Sequence, residues 1–314
     1  MYELKCKGYI ELPKNYDLNL VLSVYNFGFW FNGTSCFLQL DNEGNIVALI
    51  DTSGRYVVYS KDKSLKCSDL VNRLSYILGL NEDLSKFYAL AEKDPLLGCF
   101  SRKYRGWRVR STSLWWGLVI GICQQNASFR QGWGMLYNIV KLYGRKAVLN
   151  ERKYPLIPTP QDVLDNPDLL IRARTGYRRE TILRVAREIE RIENRIKKER
   201  DPERIELIIK SIKGVGAYTA RLAMVLSLRK YELPPIDRWL KKIISTIYNV
   251  EEKVAEKYWI RKWGSYSGLA SLAVTIALDA VPLRKALERL MNGETCPLED
   301  TRIVSPINMW KHMK

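Results

Sequence analysis

The chain has one histidine, His312, in 314 residues. A Ser-His-Asp or Cys-His arrangement needs a histidine beside its nucleophile, and a histidine metal site needs several, so neither is expected. The six cysteines, Cys6, Cys36, Cys67, Cys99, Cys123 and Cys296, never fall in a CxxC spacing. Zinc sites and iron–sulfur clusters need gathered thiolates, so neither cofactor is expected. Scattered cysteines of this kind read as small buried hydrophobes. Long apolar runs are missing as well, because Lys, Arg, Asp or Gly interrupts every candidate membrane span. The opening residues, MYELKCKGYIELPKNY, carry charges where a secretory signal has its apolar core, and the expected location is intracellular. Internal repeats and low-complexity stretches are absent. Any chemistry must therefore come from carboxylates, lysines, tyrosines or backbone dipoles.

Negative charge is also in short supply. There are 34 Asp and Glu against 51 Lys and Arg, a formal net charge of +17. Such a field attracts a polyanion, whose counterions are released on binding. Charge alone does not separate DNA from RNA. With 46% hydrophobic and 27% charged residues, the chain has the composition of a folded protein and the length for two or three domains.

The texture changes along the chain. Residues 1–95 read as a small mixed α/β domain. Leu20–Phe31, Thr34–Leu40 and Ile46–Leu49 are rich in Val, Leu, Tyr and Phe, with turn signals between them, and read as strands. Leu65–Leu78 reads as a helix. Residues 96–314 read as helical. Within them, 113–233 form one lobe with a helical hairpin at about 204–228, while 96–112 and 234–314 form a second. Ser113–Gln125 is a buried helix with Ser111 or Ser113 as its cap. Lys153–Pro160, with three prolines, reads as a loop. Arg178–Arg200 is a long amphipathic helix whose polar side is crowded with Arg and Lys.

Two motifs carry chemistry. The first is Lys213-Gly214-Val215-Gly216 between two helices. Two glycines around one aliphatic residue suit a tight turn with positive φ, and Val215 would be buried between the helices. The second helix begins there, so its free N–H groups form a prepared phosphate site. The second motif is Leu233-Pro234-Pro235-Ile236-Asp237-Arg238-Trp239. Its prolines impose an extended approach, and Asp237 falls where the next helix starts, as an N-cap would.

KGVGAYTA followed by PPIDRWL resembles the signature of the helix-hairpin-helix base-excision DNA glycosylase superfamily. Within it, the motifs resemble the branch holding the eukaryotic-type 8-oxoguanine and bacterial 3-methyladenine DNA glycosylases. The resemblance implies an α+β fold, with a small N-terminal domain and a two-lobed helical core. It also implies double-stranded DNA as partner, with cytosine opposite the lesion, and a monomer. Asp237 takes the place of the catalytic carboxylate, a fixed anion beside the positive charge that develops on the sugar. Lys213, Gly214, Val215 and Gly216 take the place of the DNA-binding hairpin, where a monovalent cation could sit on backbone carbonyls. Ile122-Cys-Gln-Gln-Asn126 and Thr175-Gly-Tyr177-Arg178 resemble the segments that fill the gap left by a flipped base. Gln125, Asn126 and Tyr177 are the candidates for that role, and Arg178 for the orphaned base and its strand.

The chain departs from the pattern in two places. Bifunctional relatives carry a lysine nucleophile where this chain has Tyr218, which cannot form a Schiff base. Hydrolysis by water with Asp237 is therefore the expected route. Lys241 or Lys242 acting as a displaced amine, or a non-catalytic damage-binding role, are the alternatives. At the positions that hold the oxidised base in the 8-oxoguanine enzyme this chain has Ser271 and Thr275. Together with Trp115, Trp116 and Tyr266 these are the candidate base-pocket residues, and Trp133 could add stacking surface. An aromatic pocket suits a cationic alkylated purine.

Overall fold

The computed structural model describes residues 1–300 and 302–314. Its N-terminal part is built on four strands, Glu3–Tyr9 (β1), Ser35–Gln39 (β2), Ile46–Asp51 (β3) and Arg55–Ser60 (β4). They form an antiparallel sheet in the order β1-β4-β3-β2. Alternate residues point to opposite faces. Ile46, Ala48 and Ile50 join one core with Leu70, Leu74 and Leu78, which fall on one side of the helix Cys67–Leu78. Val47, Phe37 and Tyr59 face the other way, into a second core with Ala147, Leu149 and Leu156. That second face is covered by the hairpin Lys146–Leu149 (β5) and Arg152–Pro155 (β6). Tyr154 stacks on Phe37 with ring centroids 4.8 Å apart. Both faces are buried, so β2 and β3 read as nearly continuous apolar runs.

Three sequence expectations need correction. Leu20–Phe31 is not a strand. A helix runs over Leu18–Ser23, because the Asp17 carboxylate accepts from the Leu20 N–H at 3.0 Å and starts a helical turn, and turns follow it. The segment read as a proline loop begins inside β6, since Asn150 and Glu151 both take positive φ (45° and 67°) and close a tight hairpin. The cysteines are not all unpaired: Cys99 and Cys296 form a disulfide with Cα atoms 5.2 Å apart. Cys6, Cys36 and Cys123 are free and buried, and Cys67 is exposed.

The helical part surrounds Leu114–Gln124, whose residues from Leu114 to Cys123 are all buried. Ser113 caps it by accepting from the Trp116 N–H. Gly121 lets the second hairpin helix approach closely, since a Cβ there would lie 3.2 Å from the Thr219 Cα. Phe129–Tyr143, Arg178–Ile196 and Ala217–Ala223 pack around this axis. Arg238–Tyr248, Ala255–Trp263, Ser267–Ala277 and Leu283–Met291 build the other lobe. Phe87, Tyr88 and Ala91 of the helix Ser85–Glu92 also pack into the helical core, so the core of the N-terminal sheet closes at Leu78.

Candidate active site and nucleic-acid interface

The hairpin consists of Pro202–Lys210, a turn, and Ala217–Ala223, continued by a π-helical turn over Met224–Leu228. Gly214 has φ +98°, and a Cβ there would lie 2.5 Å from the Thr181 hydroxyl, so glycine is required on both counts. Gly216 does not share this. It is extended (φ −92°, ψ 179°), and no atom lies within 4 Å of where its side chain would be. Its value is open access to the first N–H groups of the second helix. Val215 is buried and its N–H donates to the Ile212 carbonyl at 3.0 Å, which pins the turn. Lys213 is exposed beside it.

Asp237 caps the helix Arg238–Tyr248, accepting from the Leu240 N–H at 2.8 Å. Its carboxylate lies on the wall of a cavity of about 340 Å³ that Tyr218, Phe129, Trp239, Ser271 and Thr275 also line. Asp237 keeps an exposed surface on the cavity side, while protein packs around the rest of the carboxylate. The resulting desolvation raises its pKa above the usual aspartate value, against the backbone N–H groups that favour the anion. Burial, and then the nearby Asp237 charge, push the Tyr218 phenol well above its ordinary range, so it stays protonated and can donate. Arg221 holds the two halves of this site together. It pairs with Glu206 of the first hairpin helix at 3.2 Å and with Glu256 of the other lobe at 2.7 Å. It also reaches the Pro234 carbonyl, three residues before Asp237, at 3.5 Å.

The gap-filling candidates form one cluster. Asn126 sits exposed at a left-handed position (φ 47°), and its amide donates to the Tyr177 hydroxyl at 3.3 Å. That hydroxyl donates to the Gln125 carbonyl at 3.3 Å, while 62% of Tyr177 is exposed. The Gln125 amide donates to the Thr219 hydroxyl at 2.8 Å, which ties the cluster to the hairpin. Arg178 is buried. Its guanidinium lies 4.6 Å from the Tyr177 ring centroid and donates to the Gln125 carbonyl from Nε at 3.1 Å.

The base-pocket candidates divide. Ser271 and Thr275 line the 340 Å³ cavity, and Trp116 lines an adjoining one. Trp115 and Tyr266 line neither. The Trp115 indole N–H donates to the Pro158 carbonyl at 2.8 Å within the core, and Tyr266 packs against Phe87. Trp133 lines the adjoining cavity, together with Phe129. Lys241 and Lys242 line neither cavity, and Lys242 is paired with Glu252 at 2.9 Å. Sequence reading missed Gln124, which lines both cavities and whose buried amide nitrogen has no hydrogen-bond partner among the described residues. A signal was available: Trp116, Ile120 and Gln124 recur at helical spacing, and the last is a polar residue ending an apolar stripe. Tyr25 was missed as well; its hydroxyl bonds to that of Thr275.

No protein-family model matches the chain. A DNA-3-methyladenine glycosylase of Bacillus subtilis (strain 168) is 25% identical over 252 residues, covering 73% of this chain and 81% of the relative. Among solved structures, the 3-methyladenine DNA-glycosylase from Archaeoglobus fulgidus superposes with a TM-score of 0.71 at 19% identity, over 85% of this chain and 96% of that one. The apo-form 8-oxoguanine glycosylase/lyase of Clostridium acetobutylicum gives 0.67 at 21% identity, over 87% and 97%. The chain therefore has the α+β helix-hairpin-helix fold that 8-oxoguanine and 3-methyladenine glycosylases share. That fold is a DNA glycosylase scaffold.

Proposed function

We propose that the chain extrudes a damaged purine from duplex DNA and hydrolyses its N-glycosidic bond, leaving an unbroken strand with an abasic site. One observation carries this reading: Asp237 and Tyr218 line the same cavity, and no lysine among the described residues lines it. The glycosidic bond breaks with its electron pair leaving on the base. The Asp237 anion offsets the positive charge on the sugar, and a water molecule adds at C1′ and gives up its proton. A carboxylate with a raised pKa is suited to receive that proton. Tyr218 has no amine to attack the sugar, so no Schiff base forms and no strand cleavage follows.

DNA lies across the hairpin, with Lys213 and the open backbone at Gly216 against phosphate. Asn126 and Tyr177 fill the vacated stack, and the Gln124 amide donates to an acceptor on the extruded base. The aromatic rings of Phe129 and Trp239 favour a cationic alkylated purine. The named relatives act on 3-methyladenine or 8-oxoguanine, and the first suits this pocket better because Ser271 and Thr275 replace the oxidised-base contacts. Duplex DNA as substrate implies an intracellular setting. No helix among the described residues is long and apolar enough to cross a membrane.

The test is a panel of duplexes, each with one modified purine, assayed for abasic sites with and without alkali. Alkali-dependent breaks are expected, together with loss of release in Asp237→Asn while DNA is still bound. A borohydride-trapped covalent adduct, or undiminished release by Asp237→Asn, would overturn the mechanism.

A further inference from the structure

Behind the cavity that holds Asp237 lies a second of about 190 Å³, between the helical core and the N-terminal domain. The two share a wall formed by Gln124, Phe129, Tyr218, Leu222, Leu272 and Thr275. Tyr25 stands at this wall. Its hydroxyl is hydrogen-bonded to the Thr275 hydroxyl, and its ring stacks on Trp133 at 5.8 Å. Its backbone is fixed from three sides: φ is +52°, the N–H donates to the Pro306 carbonyl at 2.8 Å, and the carbonyl accepts from Arg110 at 2.9 Å. Arg110 lines the far end. It donates to the carbonyls of Val21, Leu22, Val24 and Tyr25, so its donors serve the chain rather than a ligand.

The space is chemically suited to a hydrocarbon. Trp116, Trp133 and Ile157 contribute apolar walls. An apolar cavity of about 150 Å³ is enough to take benzene. Opening the partition takes the Tyr25 hydroxyl from Thr275, whose own hydroxyl keeps its bond to the Leu272 carbonyl at 2.7 Å, and burial of the hydrocarbon offsets that cost. Burial also keeps the Tyr25 phenol protonated, and the one cation of the lining among the described residues, Arg110, spends its donors on four carbonyls of the chain.

We propose that the rear chamber is a specificity pocket for the substituent of the damaged base. The purine ring stays beside Asp237, and an N-linked alkyl or aryl group larger than methyl passes between Tyr25 and Thr275 and lodges behind them. This rests on the base-excision reading and extends it to a substrate class, purines carrying bulky hydrocarbon adducts.

The test compares base release from two duplexes that differ only in the adduct, N-methyl against N-benzyl on the same purine. The wild-type chain is expected to release both. Ile157→Trp, which fills the rear chamber from a wall remote from Asp237, should keep N-methyl release. It should cut N-benzyl release by roughly 10- to 200-fold, the range by which a filled apolar pocket discriminates. Thr112→Met fills the same chamber from another lining position and serves if the first variant does not fold. Tyr25→Phe, which removes the hydroxyl bridge, should raise the benzyl-to-methyl ratio severalfold. Wild-type release of the methylated base alone, or filled variants that lose both activities in parallel, would overturn the chamber's role. Release of neither base by the wild type would count against the base-excision reading itself.

Discussion

Asp237 has two roles that one substitution can separate. It caps a helix through Leu240, and it is a carboxylate whose pKa is raised by desolvation. Asparagine is as good a cap as aspartate, whereas alanine is not. Asp237→Asn therefore keeps the cap and removes the charge, while Asp237→Ala removes both. The difference between the two variants isolates the cap, at about 0.5–2 kcal/mol. At roughly 2 °C per kcal/mol in a chain of this size, the alanine variant should melt about 1–4 °C below the asparagine variant. The comparison of wild type with Asp237→Asn isolates the charge. A carboxylate whose pKa rises on folding destabilises the native state at every pH above that raised value. The cost fades as the pH falls and is gone below the ordinary aspartate pKa. Asp237→Asn should thus melt no lower than wild type at pH 7, and the two curves should converge on acidification. Base release should be lost in both variants. In the wild type it should rise as the pH climbs through the raised pKa. Calorimetry of the three proteins at neutral and acid pH, with base-release assays alongside, checks this. An asparagine variant that melts well below wild type at pH 7, with the gap closing in acid, would refute it, because the anion would then be stabilising.

Three further outcomes are expected. Arg221→Leu leaves the largely buried Glu206 without its main partner, which should cost about 3 kcal/mol in denaturant unfolding; base release should fall further than DNA affinity, because Pro234 loses its tether. Gly214→Ala forces a side chain into a left-handed position and against Thr181; a stability loss of roughly 1–3 kcal/mol and weaker duplex binding by fluorescence anisotropy should follow. Reduction, or Cys99→Ser, frees a bridge of sequence separation 197; a loss of about 2–5 kcal/mol should appear as a lower melting midpoint under reducing conditions.

Some of this was legible in the residues and some was not, for physical reasons. The hairpin was legible because Gly214 and Val215 leave few backbone solutions. Asp237 was legible because two prolines before an aspartate mark a helix start. The lining of the two cavities was only half legible. Trp115 and Trp116 are neighbours in sequence, but successive helical residues point about 100° apart. One ring enters the core and the other a cavity, and the phase is set by packing partners far along the chain. The same limit hid Tyr25, whose place beside Thr275 depends on how the N-terminal domain sits against the helical core. Leu20–Phe31 misled because a short apolar run has no period that separates strand from helix. The Asp17 cap decided it. Gly216 shows the reverse error, a glycine read for its flexibility that serves by leaving space.

The Cys99–Cys296 bond has a topological consequence. It joins a helix that precedes the hairpin lobe to a segment that follows the last long helix, so the hairpin, Asp237 and most of both cavity walls lie on one closed covalent ring. A single backbone cut anywhere within that ring opens it to a line and releases nothing. Two cuts are needed before any piece can leave. A nicked molecule would keep its mass on a non-reducing gel and separate into fragments only after reduction, with Asp237 still tethered to both ends of the chain until then.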